Sequence, residues 1–214
     1  MAAPQWLALL TGLTVAAAAS NAAVMSTEVG QQALVDQWER TALAFGQKVD
    51  DSRYAGLQDA SRSGALYGVA SAVANVPLLI LVAALAVRGI FGRPASPGPG
   101  GGDGFGTVLA VVTGTGVILA LRVIVGAPLA YVRETTASAT SLGVWFPAFD
   151  ESAPWARLLG LIDLFAVWWV VVLAIGVSVL YRRRATRLAL TFVGVYAGLA
   201  AGLAGVMAAL GGSF

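Results

Sequence analysis

Neither cysteine nor histidine occurs in these 214 residues. The first absence removes disulfides and thiol chemistry. The second removes histidine-ligated haem or chlorophyll, the usual zinc sites and the commonest general base. A serine–histidine–acid triad and a two-histidine metal site are excluded outright. Charge is scarce too, at 11% of residues, against roughly 25% in an ordinary soluble domain. The formal net charge of +2 is too small to point to nucleic acid. The acidic residues gather mostly in one loop and form no paired motif, so no catalytic, metal-binding or cofactor-binding residue is nominated.

What remains is apolar. Hydrophobic residues make up 58% of the chain, more than a water-soluble fold of this length can hide. A membrane crossing takes roughly 20 mainly apolar residues. Stretches at about 5–25, 63–87, 105–127, 157–180 and 188–211 qualify. The expected fold is all-α: a polytopic bundle of five transmembrane helices with a short extramembrane helical segment. Within the first stretch, Ala17 to Ala23 offers small residues of the kind found at signal-peptide cleavage sites. No Lys or Arg precedes it, however, so it reads as a retained span. Twelve of the thirteen basic residues are Arg, and Ala, Gly and Val abound, a bias that suggests a bacterial source.

Residues 26–62 hold ten charges. There Leu34, Trp38, Thr41, Ala42 and Phe45 recur at helical spacing, predicting an apolar stripe on a polar helix, and Asp50 or Asp51 is placed to cap a second short helix. The preferred reading is a hairpin packed on the protein's own bundle; the other is a partner-binding or membrane-surface element. The second span contains Asn75 and Pro77, read as a structural kink ahead of a substrate site. Residues 94–104, dense in Pro and Gly, read as a flexible linker and not a phosphate loop, since no Lys-Ser/Thr pair follows. Between 131 and 156, Trp145, Phe146, Phe149 and Trp155 suit a loop lying along the membrane surface.

Topology follows from the arginines. The connectors at 88–104 and 181–187 share a face with the N-terminus and carry Arg88, Arg93, Arg182, Arg183, Arg184 and Arg187 against one acid, Asp103. The opposite face mixes six basic residues with nine acids. Basic short loops mark the cytoplasmic side, which predicts an inner-membrane protein with its N-terminus inside and its C-terminus outside. Arg182, Arg183, Arg184 and Arg187 either anchor this topology, which suffices to explain them, or also contact anionic lipid.

Two charges fall well inside the predicted spans, Arg122 and Asp163. Each lies about 10 Å from the same outer face at 1.5 Å per residue, and antiparallel neighbours would bring them together. A lone charge there is expensive, so an ion pair is expected. A structural clasp is the preferred reading, with a transport or switching role the alternative. In the fifth span Gly194, Gly198 and Gly202 repeat every fourth residue, a spacing that lets another helix approach closely; internal packing is the preferred reading. Gly64, Gly68 and Ala72 repeat the device more weakly.

The run LIDLFAVWW from residue 161, followed by Leu173 to Gly176 and a basic turn, resembles the bacterial branch of the YIP domain family. The matching positions are Asp163, Leu164, Phe165, Trp168, Leu173 and Gly176, with Ser141, Leu142 and Trp145 in the polar segment ahead. Eukaryotic members carry a long cytoplasmic N-terminal region where only a few residues precede the first span here, so their link to small GTPases is not carried over. The resemblance implies five helices, this topology and a non-enzymatic membrane role; the preferred reading is a scaffold or accessory subunit that recognises another integral membrane protein or organises membrane lipid. The rival expectations are a small transporter or channel using Arg122 and Asp163, and an accessory subunit of an energy-converting complex.

Overall fold

The computed structural model describes residues 5–94, 104–132, 140–145 and 154–211. Among these, all regular structure is helical and no strand occurs. In chain order the helices are α1 (Gln5–Met25), α2 (Glu28–Ala44), α3 (Asp51–Ser61), α4 (Gly64–Phe91), α5 (Phe105–Thr115), α6 (Val117–Val132), α7 (Pro154–Leu161), α8 (Leu164–Tyr181) and α9 (Ala185–Gly211), with a 3-10 turn at Leu142–Trp145. The Pro/Gly linker lies outside the described residues except at its two ends, and so do Phe146 and Phe149.

Five helical stretches among the described residues are long and apolar enough to cross a membrane: α1, α4, Phe105–Gly126 through α5 and α6, α8, and Ala185–Val206 of α9. The chain is a helical membrane protein. Two expected spans differ in detail. The third runs through Gly116, a single turn residue between α5 and α6 whose backbone stays right-handed helical (φ −61°, ψ −15°) and where an added Cβ would lie 3.0 Å from both Ile80 Cδ1 and the Thr113 carbonyl oxygen. The fourth does not begin at 157. Pro154–Leu161 forms a separate short helix, and the crossing helix starts at Leu164 because the Asp163 side chain takes the first free backbone N–H groups. By contrast, α4 runs through Pro77 without interruption, and Asn75 sits exposed on its surface.

The extramembrane segment is two capped helices. Thr27 Oγ1 accepts from Gly30 N at 3.0 Å to start α2, and Asp50 Oδ1 accepts from Arg53 N at 2.8 Å to start α3. The Arg53 N–H and the Ser52 hydroxyl hold the Asp50 carboxyl below the usual carboxylate range. On α2 the inward face is Ala33, Leu34 and Val35, while Thr41 and Phe45, expected in the apolar stripe, are exposed. Contacts with α1, α4 and α9 dock α2 on the chain's own bundle, and Trp38 meets Tyr67 of α4 edge-on at 5.4 Å.

The core gathers toward the end of the bundle that carries the linker. Ile80, Ala84 and Val87 of α4 meet Val108, Leu109 and Val112 of α5 and Leu173, Ala174, Val177 and Leu180 of α8, with Leu188 of α9 closing the cluster. Many of the remaining large apolar side chains point outward, Leu66, Ile90, Val179, Leu190 and Leu199 each being at least 70% exposed. Such an inside-out surface is stable only against lipid.

At the other end, α1 and α4 are held by close backbone approach. A Cβ on Gly68 would lie 3.0 Å from the Asn21 carbonyl carbon, and one on Gly64 would lie 3.0 Å from the Met25 carbonyl oxygen. These contacts are to backbone, which cannot rotate away. Gly68→Ala is therefore expected to destabilise the fold by about 1–3 kcal/mol through overpacking, whereas Gly198→Ala, with nothing within 4 Å, leaves stability unchanged or slightly raised. Thermal unfolding of the two variants in one detergent checks this; equal midpoints would contradict the packing.

Candidate functional site: the Asp163 junction

Asp163 leaves the helical conformation, with φ −101° and ψ 132°, and becomes the N-cap of α8. Its Oδ1 accepts from Phe165 N at 2.9 Å and Ala166 N at 3.1 Å. Its Oδ2 accepts from Thr140 Oγ1 at 2.6 Å and lies 3.1 Å from Arg122 Nε. An ionised carboxylate offers about four acceptor positions, and four donors fill them here. The Asp163 side chain is 6% exposed; that of Arg122, reaching across from α6, is 41% exposed.

The backbone around it is equally committed. Ser141 and Asp163 pair in an isolated antiparallel bridge, with Leu142 N donating to Ile162 O at 2.8 Å and Leu164 N to Thr140 O at 3.1 Å. From α9, Tyr196 accepts from Asp163 N at 3.2 Å and donates its hydroxyl proton to Leu161 O at 3.0 Å. The α7–α8 break thus has its exposed backbone groups satisfied from two sides. That is the condition for irregular backbone near a hydrocarbon layer.

Arg122 and Asp163, expected to meet, are brought together. Asp163 lies just before the apolar stretch of α8, and Arg122 lies in the last turn or so of the stretch Phe105–Gly126. The 18 residues of α8 extend about 27 Å, close to the roughly 30 Å of a hydrocarbon core, and this places its cap at the boundary. Thr140 and Tyr196 were not anticipated. An Asp directly ahead of an apolar run is a cap signal; a tyrosine inside an apolar helix carries none.

The glycines of α9 require a correction. Internal packing was preferred for Gly194, Gly198 and Gly202, yet all three are exposed and none has another atom within 4 Å of an added Cβ. The close contact falls instead on Gly64 and Gly68 of α4. The reason is geometric: α9 turns Leu188, Ala200 and Ala204 inward, and the glycines lie on its other side.

Arg182, Arg183, Arg184 and Arg187 are all exposed, in the turn between α8 and α9 and at the start of α9. Arg182 adopts the left-handed conformation with φ 51°, which reverses the chain. Tyr181 donates its hydroxyl proton to Gly92 O at 2.9 Å, and Phe91 stacks on Tyr181 at 5.2 Å. The two basic connectors are thereby held side by side. Arg184, Thr186, Arg187, Leu190 and Thr191 line an open groove of about 630 Å³ there. Among the described residues no three potential metal ligands gather. No family model, curated protein or solved structure matches this chain.

A carboxylate with every acceptor position occupied is suited to holding segments together. Arg122→Ala strands a buried charge, and a loss of about 3–5 kcal/mol follows for a broken buried pair; the exposure of Arg122 places the expectation near the lower figure. Asp163→Asn retains the cap and is expected to be milder than Asp163→Ala. Chemical or thermal unfolding of the purified variants measures this, and indifference to both Arg122→Ala and Asp163→Ala would show the junction to be dispensable.

Proposed function

We propose that this protein is a non-enzymatic, YIP-type membrane scaffold or accessory subunit of the bacterial inner membrane, recognising another integral membrane protein by helix-to-helix contact. The observation that carries the reading is the open face of α9. Gly194, Gly198, Gly202 and Gly205 lie along one helix that crosses the apolar zone, with nothing among the described residues packed on them. Helices in lipid associate mainly through close van der Waals packing, and small residues at this spacing permit it. The four donors gathered on Asp163 tie α8 to α6 and to the segment at 140–145, which suits a scaffold.

Gly198→Leu tests the reading. Bulk added to an open face leaves the fold within about 0.5 kcal/mol of wild type while removing companions that co-purify from native membranes in mild detergent. An unchanged set of companions would reject the α9 face as the recognition surface.

The orientation places the N-terminus in the cytoplasm and the C-terminus outside, with Arg182, Arg183, Arg184 and Arg187 against the anionic inner leaflet. Because the chain has no native cysteine, Arg183→Cys gives a single thiol. A membrane-impermeant maleimide is expected to leave it unlabelled in intact spheroplasts and to label it after permeabilisation. Labelling before permeabilisation would reverse the topology.

A further inference from the structure

Hydroxyl groups in the apolar helices mostly return to their own backbone: Thr11, Thr14, Ser71, Thr115, Ser178 and Thr191 each donate to a carbonyl three or four residues earlier. Asn75 does not. It is exposed on α4, and among the described residues its carboxamide forms no hydrogen bond. Two N–H donors and a carbonyl acceptor are thus left facing outward from a membrane-crossing helix.

Its depth makes this costly. Asn75 precedes Arg88, which marks the polar border of α4, by 13 residues, or about 20 Å at 1.5 Å per residue. In a hydrocarbon layer roughly 30 Å thick, the carboxamide lies about 10 Å inside the opposite border. No water reaches it there, and an unsatisfied amide in an apolar medium is strongly disfavoured. Two residues further on, Pro77 supplies no N–H to the Val73 carbonyl, so a second acceptor in the same stretch lacks its helical donor.

We propose that α4 is a self-association surface, on which Asn75 pairs with the Asn75 of a second copy of this chain. Two features single out a second copy as the occupant. A carboxamide is self-complementary, donor to acceptor and acceptor to donor, so a two-fold contact satisfies both. And a copy inserted in the same orientation presents its Asn75 at the same depth. Leu78, Leu79 and Val82, exposed by 56%, 44% and 52%, flank the pair with apolar surface. The inference rests on the helices crossing a bilayer and not on the scaffold role, so Gly198→Leu and Asn75 variants fail separately.

The test uses the full chain in phospholipid vesicles, with energy transfer between donor- and acceptor-labelled copies followed as the protein is diluted in lipid. Wild type is expected to self-associate, Asn75→Leu to do so about tenfold more weakly, and Asn75→Gln to retain most of the association. In the cysteine-free background, Leu78→Cys is expected to form an intermolecular disulfide and Leu199→Cys on α9 not to. Monomeric wild type, an unchanged Asn75→Leu, or cross-linking at Leu199→Cys in place of Leu78→Cys would each overturn the proposal.

Discussion

The Asp163 carboxylate is the point on which the membrane-border end of this fold depends. It starts α8, receives the guanidinium of α6 and anchors the segment at 140–145, while the backbone N–H of the same residue meets the tyrosine of α9. A bundle of apolar helices in lipid has little hydrophobic reason to choose one arrangement over another, because lipid tails are as apolar as the helix faces. Direction must come from polar groups that have only one way to be satisfied. Here a single carboxylate sets where a crossing helix begins and which helices surround it.

The two glycine runs make the same point from opposite sides. Both have the spacing that permits close approach, yet only Gly64 and Gly68 meet another backbone, that of α1. Spacing identifies a helix that can be approached; it does not say by what. The choice lies with the rest of each helix: α4 aligns Gly64, Gly68 and Ala72 with Ile80, Ala84 and Val87 on one buried stripe, whereas α9 buries Leu188, Ala200 and Ala204 and leaves its glycines outside.

Much of the architecture was legible in composition and periodicity. Five apolar stretches, a helix cap at Asp50 or Asp51 and the meeting of Arg122 with Asp163 could all be read from residue types and spacing. The break ahead of α8 could not. A run from 157 to 180 looks continuous to a hydropathy argument because Ile162 and Leu164 bracket Asp163, and only the competition between side chain and backbone for the first N–H groups splits it. Tyr196 was illegible because its role depends on a contact 33 residues away in the chain, with Asp163 N.

The uneven placement of the core has a mechanical meaning. Near the linker, α4, α5 and α8 are joined by interlocking aliphatic side chains, a bond indifferent to proton concentration and salt. Near residue 163, α6, α8, α9 and the segment at 140–145 are joined by oriented charges and hydroxyls, which yield to solvent and to competing ions. The molecule is thus a clamp with one oily hinge and one polar latch, and anything that loosens the latch would splay the helices while leaving them fastened at the hinge.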